Sequence, residues 1–146
     1  MVNLRIRVGA VCRQDDDLLL VEHEKDGRRY FLLPGGGMRQ GEPAEEAVVR
    51  EVYEETSIRV RTKRLISVCE SLAPDQERHI VHFLYETEYV CGEPGVSQDP
   101  RVRRSLFTPI SSLDRIELRP PVQHWLRERL LDGFSKDLEH LGALWV

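Results

Sequence analysis

The 146-residue sequence predicts an α/β fold built as a single domain over residues 1–146. Three observations carry that expectation. Apolar runs of strand length, several of them alternating, recur before residue 34 and again between residues 58 and 109. Two stretches, Ala44–Thr56 and Pro121–Leu131, repeat their apolar positions at helical spacing. The composition, 40% hydrophobic and 32% charged, belongs to a chain able to build one hydrophobic core.

The first strand runs from Leu4 to Cys12, where Leu4, Ile6, Val8 and Ala10 alternate with Arg5, Arg7 and Gly9. Gln14–Asp17 is a polar turn, and Leu18–Val21 is a continuous apolar run suited to a strand covered on both faces. Lys25-Asp26-Gly27 turns the chain again. Tyr30–Leu33 is a short strand that stops at Pro34, ahead of Gly35-Gly36-Gly37. Pro43 suits the first position of a helix. On that helix Val48, Val49, Val52 and Thr56 share a core side, and Ala47, Glu51, Glu54 and Glu55 share the neighbouring side. Ile58–Leu72 and Ile80–Val90 are two long strands, joined through Pro74-Asp75-Gln76-Glu77 as a hairpin. Cys91–Arg104, rich in glycine, proline and charge, is a long loop of the kind that carries function. Leu106–Pro109 is a short strand and Ser111–Asp114 a helical turn. The last helix, Pro121–Leu131, places Val122, Trp125, Leu126 and Leu130 on one side. In the tail, Phe134, Leu138, Leu141 and Trp145 keep helical spacing, but Gly142 interrupts it, and no element is assigned.

The net charge of −4 argues against broad electrostatic attachment to nucleic acid or to an anionic membrane. An anionic substrate would therefore need a metal to supply positive charge locally. The three cysteines, Cys12, Cys69 and Cys91, form no C-x-x-C pair and are odd in number, so small buried thiols in a reducing compartment are expected. No long apolar run and no apolar leader core occurs, which makes a cytoplasmic location the default.

Glu51, Glu54 and Glu55 are separated by three and four positions, so one face of the predicted helix carries all three carboxylates. Such neighbours repel and cost helix stability unless something positive meets them. Hard divalent cations such as Mg²⁺ or Mn²⁺ take oxygen ligands of this kind. A merely solvated acidic face is the common alternative, and the upstream residues weigh against it.

Gly36, Glu42 six residues on, and Arg50-Glu51-Val52-x-Glu54-Glu55-x-Ser57-Ile58 closely resemble the Nudix box, G-x5-E-x7-R-E-U-x-E-E-x-G-U, with U a bulky aliphatic residue. One position departs from it: Ser57 stands where the family has glycine. Leu33-Pro34-Gly35-Gly36-Gly37 is similar to the family's lead-in, and the box spans 23 residues. A glycine after a helix usually adopts the left-handed conformation, and a serine there costs on the order of 1 kcal/mol without removing a ligand.

The resemblance implies an α/β/α sandwich with a mixed β-sheet. It implies hydrolysis of the pyrophosphate bond of a nucleoside diphosphate linked to another moiety, ADP-ribose-like or a nucleoside triphosphate, dependent on Mg²⁺ with Mn²⁺ as the alternative. Glu51, Glu54 and Glu55 match the metal ligands, and with Arg50 they make the catalytic set. Gly35, Gly36 and Gly37 match the substrate-contacting loop, where glycine permits backbone angles and close approach. Glu42 would order that loop and pair with Arg50. Some members take a further acid from a later loop. Here that loop holds Glu93 and Asp99, but Gln98-Asp99-Pro100-Arg101-Val102 gives no clear match, and the general base stays open between Glu54 and Glu55. Pro74 lies sixteen residues past Ile58, where family members that hydrolyse ADP-ribose often carry proline; it also sits in an obvious turn. Tyr85, Tyr89 and Phe107 are candidates for stacking a base or for core packing, and Arg101, Arg103 and Arg104 for reaching phosphates or for a solvated surface. His79 and His82 fall on opposite faces of a strand and are not expected to share a metal. The expected partner is a nucleotide-type small molecule, with no nucleic acid and no membrane; a homodimer is compatible with the resemblance. The rival function is a catalytically silent nucleotide-binding domain acting as a sensor or regulator, although such domains usually lose box carboxylates and this chain keeps them all.

Overall fold

The computed structural model describes residues 3–97 and 99–145; Met1, Val2, Gln98 and Val146 lie outside it. A mixed eight-stranded sheet carries one helix on each face. The strands are β1 (Leu4–Gln14), β2 (Asp17–Lys25), β3 (Arg28–Leu32), β4 (Gly35–Gly37), β5 (Arg59–Leu72), β6 (His79–Cys91), β7 (Val102–Pro109) and β8 (Glu139–Leu144). The helices are α1 (Ala44–Thr56) and α2 (Gln123–Asp132), with a short 3₁₀ turn at Ile110–Arg115. The main path is β3-β2-β1-β6-β5-β8, with β4 added to β1 and β7 to β2.

One departure from a simple sheet positions everything else. β1 and β2 pair only beside their turn, at Arg13↔Leu18 and Gln14↔Asp17. Beyond it they separate. β1 takes β4 as its antiparallel neighbour through Arg7↔Gly37, Val8↔Gly36 and Gly9↔Gly35. β2 instead takes β3 on one side and β7 on the other. The other edge of β1 pairs in parallel with β6 from Leu4↔His79 to Arg13↔Glu88.

The core follows the alternation of the strands. Val8, Ala10 and Leu19 face α1, where they pack against Ala47, Val48 and Val52. Val11, Leu18, Leu20 and Leu84 face the other way, against Leu113, Leu126 and Leu130. The continuous apolar run Leu18–Val21 is thus divided between two cores and fully buried, as a strand covered on both faces requires. α1 ends at Ser57, which is left-handed at φ 66° and returns its N–H to the Tyr53 carbonyl at 2.9 Å. Cys12 and Cys69 are buried, whereas Cys91 is exposed. Among the described residues no helix is long and apolar enough to cross a membrane.

Three segments differ from the sequence expectation. Ala47 belongs to the core side of α1 and not to its acidic side. The long loop closes early, because Val102 already pairs with His23, which makes β7 a full eight-residue strand. The tail forms β8, in parallel register with β5 from Ser67↔Glu139 to Ser71↔Leu144. Gly142 at φ 75° rules out continued helix there, and the pairing is interrupted beside it, between Val68 and Cys69.

Candidate active site

The separation of β1 from β2 opens a cleft of about 640 Å³, a size suited to a small-molecule ligand. Gly35, Gly36 and Gly37 line it from β4, and Glu51 and Glu55 from α1. The glycines are needed for space rather than for backbone angle, since none of the three has positive φ. A Cβ on Gly35 would overlap the Val8 carbonyl oxygen and come within 2.9 Å of the Gly9 Cα. A Cβ on Gly36 would overlap the Glu51 carboxylate, whose Oε1 would be 2.8 Å away. A Cβ on Gly37 would meet nothing within 4 Å.

Arg50 is the organising cation. Its Nε donates to Glu42 Oε2 at 2.7 Å and its Nη2 to Glu42 Oε1 at 2.9 Å, a two-pronged charge-assisted pair. Nη1 reaches Glu51 Oε1 at 2.9 Å and Glu54 Oε2 at 3.1 Å, and Nη2 also reaches the Gly37 carbonyl at 3.2 Å. The bond to Glu42 makes Arg50 hold its proton more tightly than usual, with Glu51 adding to the effect. The same bond keeps the Glu42 carboxyl below its ordinary range. The pairing of Glu42 with Arg50 is thus present, and it ties the start of α1 to the glycine segment.

The three box carboxylates are not equivalent. Glu55 is buried and accepts the Gly35 N–H at 3.1 Å. Burial pushes its carboxyl up to about 7, against the pull of that N–H and of Arg7. Glu51 lies over Gly36 with 17% of its side chain exposed. Glu54 is 48% exposed, lies outside the cleft lining, and is held by Arg50 and by Arg39 at 3.5 Å. Among the described residues no three carboxylate, imidazole or thiol groups are gathered as a ready-made metal site. Arg50 is bonded to both Glu51 and Glu54. The donor chemistry nevertheless suits a hard cation: two carboxylates face one cleft, one of them buried at an energetic cost that a cation would offset.

Arg7 and Arg119 line the cleft without having been singled out in the sequence, whereas Asp99 and Arg101 are named there as loop candidates. Arg7 lines the cleft and, among the described residues, makes no ion pair; burial lowers its hold on its proton, while Glu55 and Glu51 act in the opposite direction. No distinct signal in the sequence marks it, since Arg5 and Arg7 alternate with Leu4, Ile6 and Val8 as solvent-facing residues would. Asp99 and Arg101 reach the cleft from the loop before β7, bonded to each other at 2.9 Å. Asp99, for which the sequence offered no clear match, thus lines the same cleft as Glu51 and Glu55. Arg119 stacks over Tyr30 at 3.7 Å, and both line the cleft. Arg103 and Arg104 turn to Glu22 instead. Pro74 stays in its exposed turn. Tyr85 is buried in the α1-side core, with Tyr89 and Phe107 packed against it. His79 bonds Glu70 and His82 bonds Ser71, so the two imidazoles have separate partners.

The fold and this constellation agree with known proteins. A family model described as the NUDIX domain matches residues 3–129. The chain belongs to the NUDIX family. An ADP-ribose pyrophosphatase of Methanocaldococcus jannaschii is 31% identical over 97 residues, covering 66% of this chain and 57% of that one. A diphosphoinositol polyphosphate phosphohydrolase 3-alpha of Mus musculus is 35% identical over 85 residues, covering 56% of this chain and 51% of that one. The NUDIX chain thus spans little more than half the length of these curated relatives. A NUDIX hydrolase structure from Nitrosomonas europaea superposes with a TM-score of 0.79 at 24% identity, over 93% of this chain and 94% of that one. That likeness concerns the NUDIX fold.

Proposed function

We propose that this NUDIX chain is a pyrophosphatase that hydrolyses the phosphoanhydride bond of a nucleoside diphosphate linked to another moiety, with Mg²⁺ as the ion and Mn²⁺ able to replace it. The observation that carries the reading is that Glu51 and Glu55 line one cleft with a side-chain-free glycine segment and with Arg7, which has no ion-pair partner among the described residues. Glu51 and Glu55 would hold the ion, and Glu54 would join them by exchanging its contact with Arg50. A bound divalent ion supplies charge neutralisation of phosphate oxygens and activation of water. The chain's own groups supply the remainder. Gly36 and Gly37 leave space for phosphate oxygens, Arg7 and Arg101 place positive charge beside them, and Arg50 with Glu42 keeps the acids in place. The similarity to an ADP-ribose pyrophosphatase favours ADP-ribose-like compounds among the candidate substrates.

The test is a panel of ADP-ribose, nucleoside triphosphates and related diphosphates, incubated with Mg²⁺ and resolved by product identification. The parent is expected to release AMP or pyrophosphate, and Glu55→Gln and Glu51→Gln to lose about 100- to 1,000-fold in kcat. Background signal from all three, with nucleotide binding retained, would replace hydrolysis by a nucleotide-sensing role.

A further inference from the structure

The NUDIX family match ends at residue 129, whereas β8 occupies Glu139–Leu144. Strand pairing brings this extension back to the cleft. Arg5 pairs with Ile80, Ile80 with Ser71, and Ser71 with Leu144, forming one row across β1, β6, β5 and β8. Trp145 follows Leu144 and lines the same cleft as Glu51 and Glu55. Three strand spacings separate β1 from β8, a distance on the order of 14 Å that an extended nucleotide can cover.

Trp145 is unlike the other aromatic groups near it. It is 41% exposed although it stands in a cleft. Among the described residues no ring or cation stacks on it, whereas Tyr30 is already covered by Arg119. Trp125, the other tryptophan, packs against the α2-side core and donates its Nε1–H to Glu139 at 3.2 Å. Arg5 and Arg78 line the cleft with Trp145, and among the described residues neither has an ion-pair partner. An exposed indole in one cleft with two guanidinium groups that have no ion-pair partner among the described residues suits a planar ring carrying a phosphate or a phosphorylated sugar.

We infer that Trp145 is a specificity-determining residue that stacks on the nucleobase of the substrate, with Arg5 and Arg78 holding the sugar-phosphate beside it. The inference rests on the pyrophosphatase reading and names the half of the substrate that is not cleaved. Trp145 thereby acts on binding and not on the chemical step.

Two measurements test it. In a Trp125→Phe background Trp145 is the sole indole; AMP is expected to quench its emission saturably, and ribose 5-phosphate, which has no base, to leave it unchanged. In kinetics, Trp145→Ala is expected to raise KM for the nucleotide substrate about tenfold with kcat within twofold, and Trp145→Phe to restore most of the loss. Hydrolysis by Trp145→Ala with parental KM, together with no quenching by AMP, overturns the inference and leaves the pyrophosphatase reading intact. Quenching by AMP without hydrolysis of any nucleotide has the opposite meaning: the base-binding place stands and the pyrophosphatase reading falls.

Discussion

Three consecutive glycines should respond in three different ways when each is replaced by alanine. For Gly36→Ala, the nearest atoms the new methyl meets are those of the Glu51 carboxylate, the far end of a flexible side chain. Glu51 must swing by about 1 Å or more to restore van der Waals contact, giving up its bond to Arg50. That bond is mostly buried, but Arg50 keeps its bonds to Glu42 and Glu54, so the fold should lose about 1 kcal/mol, or roughly 3 °C in Tm. The displaced carboxylate is a proposed ion ligand, and a shift of about 1 Å in a positioned group costs on the order of 100-fold in kcat. For Gly35→Ala, the methyl meets the backbone of Val8 and Gly9, which no rotamer change relieves. β4 must then move off β1, at about 1–3 kcal/mol and with loss of the Glu55 anchor. For Gly37→Ala there is nothing to meet, and Tm should stay within about 2 °C. Thermal melts of the three variants, with Mg²⁺-dependent phosphate or AMP release for the first, separate these outcomes. A Gly36→Ala enzyme with kcat within threefold of the parent, or with a Tm loss as large as that of Gly35→Ala, would refute the reasoning.

Other expectations follow from the same structure. Ser57→Gly relieves the left-handed serine at φ 66° and should stabilise the fold by about 0.5–1 kcal/mol in urea unfolding, with activity retained. Glu42→Gln removes the negative end of the Arg50 pair and should lower kcat about tenfold while KM changes little, as steady-state kinetics would record. The buried His82 imidazole is held down to about 4, by burial first and by Arg7 second, from an ordinary 6.5. The unfolded chain therefore takes up a proton that the folded chain refuses. Stability should be present above pH 6.5 and lost as the pH falls toward 4, by about 2 kcal/mol at pH 5. His82→Asn should flatten urea-derived stability between pH 7 and 5 by about that amount.

What was legible in the sequence was local. The helix carrying Glu51, Glu54 and Glu55 was visible from its 3.6-residue period, and Ser57 from the conformation that a helix end demands. The long hairpin β5–β6 was visible from two apolar stretches around a turn. What was not legible depends on pairing between distant segments. The tail repeats apolar residues at a spacing that suits a helix, yet a vacant edge of β5 captures it as a strand. Arg7 alternates with apolar neighbours like a solvent-facing residue, and only the divergence of β1 from β2 turns that side into a cleft wall. Glu54 and Glu55, adjacent in the chain, differ in exposure because Glu55 follows Val52 by three positions and Val48 by seven, on the buried stripe of α1, whereas Glu54 is turned about 100° from it.

The guanidinium of Arg50 has one more consequence. It is a tethered counter-ion for the acidic patch, bonded at once to Glu42, Glu51 and Glu54. Carboxylates crowded on one helix would otherwise push each other apart. On the proposed reading, a divalent ion held by Glu51 and Glu54 would have to displace this internal competitor, which would favour loading together with phosphates that share its charge over capture of the bare metal.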